Sequence, residues 1–255
     1  MKYQITDEKI TVHGVELRRI VALSDFVNVS KGDKGGFIFC ESNLSHDGNA
    51  WVYGNAQVSG DAQVYGNARV SGDARVSGDA RVSGNARVSG DAQVSGDARV
   101  YGDAQVSGDA RVSGDARVSG DALVSGDARV SGYALVYGYA QVSGDAQVYG
   151  NAQVSGDARV SGNAQVYGDA QVSGDAQVYG NAIIKFDCEL DFLILGSFGN
   201  SQRTVTATKE TVYAGCFEGS FIDFENAVKE KYGDNYGGTK RGYADCIAIL
   251  KNWMG

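Results

Sequence analysis

The side chains best suited to acid–base catalysis are few in this chain. Histidine is the commonest general base near neutral pH, and the 255 residues include two, His13 and His46. His46 lies in a short insertion within Ser45–Asn49, ahead of a long regular repeat, so it is the one residue that we consider as a general base. A lone histidine in a loop is more often a solvated surface residue, and the sequence therefore predicts no catalytic residue.

The cysteines follow neither a metal-binding nor a disulfide pattern. Cys40, Cys188, Cys216 and Cys246 lie far apart, and none belongs to a C-x-x-C pair. We therefore expect neither a zinc site nor a disulfide framework. The glycines never form a phosphate-binding loop with a lysine, and we expect no cofactor.

Charge and hydropathy argue against two kinds of partner. The formal net charge is -8, whereas generic binding to nucleic-acid phosphates requires clustered lysines and arginines. No apolar segment is long enough to span a bilayer, and Met1–Ile5 does not begin a secretion signal. We therefore expect a cytoplasmic protein that binds neither a membrane nor nucleic acid in general.

A six-residue repeat dominates the chain. From Ala50 to Asn181 the sequence consists of 22 consecutive six-residue units without an insertion, and all but two of them have the form A-x-V-x-G-[D/N]. Ala and Val are two residues apart, so in an extended strand they point to the same side, and the residues between and after them point to the other. Gly followed by Asp or Asn supplies a corner. Each unit therefore predicts a short strand and one bend, and three units close one coil.

This pattern resembles the hexapeptide repeat of left-handed β-helix proteins, over more than half of the chain. The resemblance implies a mainly β fold, a left-handed parallel β-helix whose coils stack through their strands. Many members of that family are trimeric acyltransferases that use a histidine as general base. Here the glycine lies two residues after the aliphatic position rather than directly after it, and no loop between Val52 and Val178 could form a coenzyme A pocket. We therefore predict a protein that is not an enzyme.

The degenerate ends of the repeat divide the chain into three parts. Residues 1–35 are predicted to cap the helix with a hairpin that turns at His13 and Gly14, residues 36–192 to form the β-helix, and residues 193–255 to form a small α+β module. The segment from Lys31 to Ile38 and the motif from Gly215 to Gly219 resemble parts of uncharacterised bacterial and phage hexapeptide-repeat proteins.

The end module is predicted in more detail from its local pattern. Ile184, Cys188 and Leu190 continue the repeat spacing. Strands are expected at Leu193–Leu195, Thr204–Thr208 and Thr211–Phe217. A helix should follow Ser220 as its N-cap, and a second helix is expected at Gly242–Trp253.

An arginine ladder is predicted on one face of the β-helix. Positions that are three units apart lie above one another, so Arg81, Arg99 and Arg117 should stack. Such a ladder is a possible anion-binding site if it is unpaired. We expect instead that each corner aspartate shapes its turn and pairs with the arginine of its own unit, which would neutralise the ladder.

The repeat is broken once, and this break predicts a binding surface. Tyr133 and Tyr139 replace corner residues, Leu135 replaces an outward Arg or Gln, and Tyr137 replaces an outward Ser. All four fall on or beside the face of the arginine ladder, whereas Leu123 falls on a different face. Exposed groups of large side chains usually mark an interface, and Tyr is a preferred anchor residue.

The sequence as a whole predicts a non-catalytic rigid scaffold. It would bind a partner protein, or self-associate as a homo-oligomer, through an exposed face or through its C-terminal module. One alternative is a phage-type inhibitor that sequesters a host protein or a nucleotide signal. The other is a hexapeptide-repeat acyltransferase, which the scarcity of histidine disfavours.

Overall fold

The architecture was obtained as a computed structural model of the chain. It describes residues 1–180, 183–186, 192–198, 203–208, 211–214, 217–233, 247 and 251. The predicted repeat positions Cys188 and Leu190 lie outside the described residues, as does the predicted helix at Gly242–Trp253 apart from residues 247 and 251.

The chain begins with an antiparallel unit. Strand β1 (Tyr3–Val12) pairs with β2 (Val15–Ala22), which pairs with β3 (Lys34–Ile38). His13 (φ 48°) and Gly14 (φ 81°) form the turn between β1 and β2, as the sequence predicted. Strand β3 then runs parallel to the first repeat strand of its sheet, so the antiparallel unit continues directly into the repeat. A short 3-10 turn, Glu41–Asn43, follows.

The described repeat strands form three parallel sheets, and each strand pairs with the strand three units further along the chain. Sheet I extends the N-terminal unit and contains Gln57–Val58, Arg75–Val76, Gln93–Val94, Arg111–Val112, Arg129–Val130, Gln147–Val148, Gln165–Gly168 and Ile183–Phe186. Sheet II contains Trp51–Val52, Arg69–Val70, Arg87–Val88, Gln105–Val106, Leu123–Val124, Gln141–Val142, Arg159–Val160 and Gln177–Val178. Sheet III contains Gln63–Val64, Arg81–Val82, Arg99–Val100, Arg117–Val118, Leu135–Val136, Gln153–Val154 and Gln171–Val172.

The core of the solenoid consists of the two small side chains of each unit. Ala and Val of the repeat are buried from Ala50 to Val172, most of them completely. The glycine of each corner has a φ near +70°, a left-handed conformation that is costly for residues with a Cβ atom. The predicted β-solenoid with stacked parallel strands is confirmed, and its left-handed sense stays a prediction.

The C-terminal part contains an antiparallel sheet of four described strands, Phe192–Phe198, Arg203–Thr208, Val212–Ala214 and Phe217–Gly219. The single strand predicted at Thr211–Phe217 is wrong, because two short strands, Val212–Ala214 and Phe217–Gly219, form a hairpin there. Helix α1 (Phe221–Tyr232) begins as predicted at Ser220, whose Oγ accepts a hydrogen bond of 3.2 Å from the backbone N–H of Asp223. Within the described residues, no helix has the length and apolar character needed to cross a membrane.

Candidate binding face on sheet III

Sheet III presents two outward columns of side chains, which we call the first and the second column. Their positions follow from the strand alternation, because Ala and Val of each unit point inward and the residues between and after them point outward. The first column consists of Gln63, Arg81, Arg99, Arg117, Leu135, Gln153 and Gln171. The second column consists of Tyr65, Ser83, Tyr101, Ser119, Tyr137, Ser155 and Ser173.

The arginine ladder forms as the sequence predicted. Arg81, Arg99 and Arg117 are paired in register on adjacent strands, and all three are exposed. Coils stack at about 4.8 Å, the spacing of neighbouring strands. The three guanidinium groups therefore belong to successive coils of one column.

The expected pairing of these arginines with the corner aspartates of their own units is wrong for the residues that the structure describes. Within them, none of the three guanidinium groups lies within 4.0 Å of a carboxylate oxygen. A side chain in the middle of a strand stands perpendicular to its sheet, whereas the corner residue that ends the same unit, four positions later, lies where the chain turns between sheets.

Several corner side chains bind one another along the axis instead. Asn49 donates to Asn67 (2.9 Å), Asn67 to Asn85 (3.1 Å) and Asn85 to Asp103 (3.1 Å), each through the amide nitrogen to a side-chain oxygen one coil further on. These bonds connect the coils at one corner, and Asp103 is the flanking aspartate that takes part in them.

A surface cavity of about 260 Å³ lies over the arginine ladder. Its lining consists of Tyr65, Arg81, Ser83, Arg99, Tyr101 and Arg117. The two tyrosines stand two coils apart with the small Ser83 between them, so the cavity has aromatic ends, a cationic side and a hydroxyl floor. No acidic side chain lines it.

The predicted tyrosine surface, formed by Tyr133, Leu135, Tyr137 and Tyr139, lies on the next coil. Leu135 is paired in register with Arg117. Tyr133 and Tyr139 occupy the corners on either side of this strand and are 65% and 62% exposed, and Tyr137 between them is 40% exposed. The structure thus places all four side chains on or beside the face of the arginine ladder, and Leu123 lies on sheet II.

His46 lies in a different cavity, at the start of sheet III. Its ring stacks on that of Tyr3, with 4.3 Å between the ring centroids, and the cavity beside it has a volume of about 440 Å³. The backbone N–H of Lys2 donates to Nδ1 (3.2 Å), and Nε2 lies 2.7 Å from Oε1 of Glu41. Because Nδ1 accepts a hydrogen bond, the ring proton belongs on Nε2 and is donated to Glu41.

Both ring nitrogens of His46 are therefore occupied by the protein itself. A general base needs a free lone pair within hydrogen-bond reach of its substrate, and His46 has none in this arrangement. Its contacts instead join the first strand to the turn before the repeat. Within the described residues, no three His, Cys, Asp or Glu side chains are grouped as metal ligands.

Sequence reasoning missed Tyr65 and Tyr101 as members of the candidate face. They follow the repeat in every other respect, so they do not break the pattern as Tyr133 and Tyr139 do. The available signal was their spacing, because Tyr65, Tyr101 and Tyr137 recur at an interval of six repeat units, which is two coils of the same sheet.

Comparison with known proteins identifies the type of repeat. Nine segments match the family model described as "YdcK Beta solenoid repeat", namely 62–78, 80–92, 92–108, 104–120, 110–126, 116–132, 122–138, 146–162 and 152–168. A protein of Escherichia coli (strain K12) named "Uncharacterized acetyltransferase YdcK" is 38% identical to this chain over 60 residues. That match covers 20% of this chain and 18% of the relative. The predicted resemblance to hexapeptide-repeat solenoid proteins is confirmed.

Proposed function

We propose that this protein is a non-catalytic, rigid scaffold that self-associates through sheet III. The surface used is the upper half of this sheet, by which we mean its strands from Leu135 toward the C-terminus. The observation that carries the proposal is the tyrosine surface, where Tyr133, Tyr137 and Tyr139 are strongly exposed around Leu135 on one coil. Tyrosines in such a group are typical anchors of protein interfaces.

The coils above the tyrosine surface determine how large the interface can be. A stable interface takes about 800 Å² from each partner, and one coil is only about 4.8 Å high. One coil is therefore too small to form the interface alone, and the coils that follow it would have to contribute. Their outward side chains on sheet III are Gln153, Ser155, Gln171 and Ser173.

The absence of charge from both outward columns above Arg117 favours a second copy of this chain as the partner. Two acidic chains, each with a formal net charge of -8, repel one another, and this repulsion is smallest where the facing side chains are uncharged. Interface cores are depleted of charged residues, and most homo-oligomers use a patch that faces its own copy. Leu135, Tyr137 and the Gln and Ser side chains above them are uncharged, whereas a patch on the arginine ladder that faced its own copy would bring like charges together.

The experiment compares the native mass of the purified protein with that of a variant returned to the repeat consensus. The variant is Tyr133→Asn, Leu135→Gln, Tyr137→Ser and Tyr139→Asn, all residues that occupy these positions in other units. Its core and net charge are unchanged, so it should fold. We expect a multiple of 26.8 kDa for the wild type and the monomer mass for the variant.

The control for this experiment is Leu123→Gln, which removes an outward leucine from sheet II and should leave the mass unchanged. A monomeric wild type at micromolar concentration would contradict self-association. So would a variant that keeps the wild-type mass. A monomer that binds a different protein stoichiometrically through the same four residues would support the alternative of a sequestering inhibitor instead.

An acyltransferase is the rival function, and the name of the E. coli relative is what supports it. The internal hydrogen bonds of His46 oppose it. We expect the wild type to consume no labelled acetyl-coenzyme A in the presence of amine or hydroxyl acceptors. Acetyl transfer that His46→Ala abolishes would overturn the non-catalytic proposal, without bearing on the oligomeric state.

A further inference from the structure

We propose that the cavity over the arginine ladder binds a small polyanion that carries a planar ring, with the chemistry of a nucleoside polyphosphate. The cavity lies on the lower half of sheet III, below the tyrosine surface, so this inference goes beyond the proposed self-association. Three features of the cavity support it: its cations, its aromatic ends and its flanks.

The cations suit a chain of anionic groups. Arg81, Arg99 and Arg117 stand on successive coils, so the first and the third are separated by about 9.6 Å. Guanidinium groups bind phosphate oxygens through two parallel N–H donors. Two or three linked phosphates can follow a column of this spacing and contact all three side chains in their extended positions, whereas a single anion would require the outer two to bend toward the middle one.

The aromatic ends suit a planar ring. Tyr65 and Tyr101 are 40% and 41% exposed at either end of the cavity, and Ser83 between them leaves the gap open. Bases stack on exposed aromatic side chains whatever their sequence. At about 9.6 Å the two tyrosines are too far apart to sandwich one ring, so the ring should stack on one tyrosine while the phosphates follow the arginines.

The flanks of the cavity restrict the ligand to a small molecule. Exposed aspartates occupy the corners on both sides of the ladder, namely Asp79, Asp97 and Asp115 on one side and Asp103 and Asp121 on the other. A long polyanion such as RNA would extend over these carboxylates and be repelled. The cavity volume of about 260 Å³ also lies near the lower end of small-molecule sites, which begin at about 300 Å³.

The test measures binding of fluorescently labelled ATP and GTP to the full chain by anisotropy at low ionic strength. Two variants alter the cavity with residues that the repeat already uses at those positions: Arg99→Gln, and the double change Tyr65→Ser with Tyr101→Ser, which removes both rings. Arg111→Gln on sheet I is the control, because it makes the same charge change on an exposed arginine of another face. We expect Arg99→Gln to weaken binding by at least about tenfold, because it removes a charged hydrogen-bond donor to the phosphates.

The outcomes separate the parts of the proposal. Arg111→Gln should bind as the wild type does, and the double tyrosine variant should weaken ATP binding without affecting competition by inorganic triphosphate. Equal affinity for ATP and inorganic triphosphate would overturn the role of the ring. Absence of binding at millimolar nucleotide, or equal losses in Arg99→Gln and Arg111→Gln, would overturn the site.

A further control separates this proposal from self-association. The consensus variant of the tyrosine surface leaves all six residues of the cavity in place and should bind nucleotide normally. The failure of either proposal therefore leaves the other standing.

Discussion

Lys2 carries an ammonium group into the packed start of the solenoid. Its Nζ donates to the carbonyl oxygen of Ala50 (2.8 Å), and it lies 5.4 Å from the centroid of the Phe26 ring. Burial lowers the pKa of Lys2 from 10.5 to about 8, and the negative charge of Asp47 offsets part of this effect. The charged form of Lys2 is therefore less favourable in the folded protein than in the unfolded chain.

The pH dependence of stability follows from this shift. Between pH 8 and 10.5 the unfolded state binds more protons at Lys2 than the folded state, so the free energy of unfolding rises with pH. Above pH 10 Tyr3 acts in the opposite direction, because burial raises the pKa of its hydroxyl group and the unfolded chain releases that proton first. The gain in stability is therefore expected from pH 8 to 10.

Replacing Lys2 with Met should remove this gain. Trp51 packs against Tyr3 and Phe26, so its fluorescence reports unfolding of this region once Trp253→Phe has removed the other tryptophan. We expect the urea midpoint of the Trp253→Phe chain to rise from pH 8 to 10, and that of the chain with Lys2→Met added to stay level by comparison. Parallel pH profiles of the two chains would show that Lys2 is not the group responsible.

The position of a residue in the fold was predictable from the sequence where the repeat fixes it. Which side chains form hydrogen bonds or ion pairs with one another was not. An interval of three units places Arg81, Arg99, Arg117 and Leu135 in one column, and the structure confirms this column. Pairing of Arg with Asp within a unit was wrong, because sequence proximity does not tell whether two side chains point toward each other. The contacts of His46 with Lys2 and Tyr3 join segments that are distant in the sequence, and no local pattern indicates them.

At the scale of the coil, the corner glycines carry two separate constraints. One is the left-handed backbone, which each glycine of the run shares. The other is the coil above: a Cβ atom on Gly90 would lie 3.0 Å from both N and O of Gly108. Gly54 lies in the same column of corners, but a Cβ atom added to it would have its nearest neighbour, the carbonyl oxygen of Gly72, at 3.9 Å.

Alanine at these two glycines should separate the constraints. Gly54→Ala should lose about 1–2 kcal/mol of unfolding free energy, the cost of a left-handed residue that has a Cβ atom. Gly90→Ala should lose a further amount of about 1–3 kcal/mol, because the added methyl group overpacks the stack. Urea unfolding followed by circular dichroism measures both values, and equal losses would show that the stack relaxes without cost.

The elements of the repeat were predictable, and those beyond it were predictable only in part. Each unit contains its own strand and its own corner, so 22 copies of one pattern repeat the same information. The C-terminal sheet has no such repetition. The sequence predicts one strand where the structure has the pair Val212–Ala214 and Phe217–Gly219, because a run of β-forming residues does not mark where one strand ends and the next begins.

At the scale of the molecule, the three sheets act as three independent faces of one rod. The interior is the same Ala and Val pair in nearly every coil, so the core does not specify which unit belongs to which sheet. A deletion of one six-residue unit should therefore keep the fold and move everything after it onto the neighbouring sheet. Such deletions can test which coils must share a face.

Two deletions of equal length should have opposite effects on self-association. Removing residues 121–126 turns the tyrosine surface and the neutral coils above it together, so the native mass should stay that of the wild type. Removing residues 151–156 keeps the tyrosine surface in place but brings Arg159 above Leu135 in place of Gln153, which interrupts the neutral surface with a charge. We expect this second chain to be mainly monomeric. Both chains should bind nucleotide as the wild type does, because the coils of Arg81, Arg99 and Arg117 are untouched.

Loss of association after the first deletion would mean that the interface also needs the arginine ladder. Retention after the second would limit the interface to the coil of Leu135.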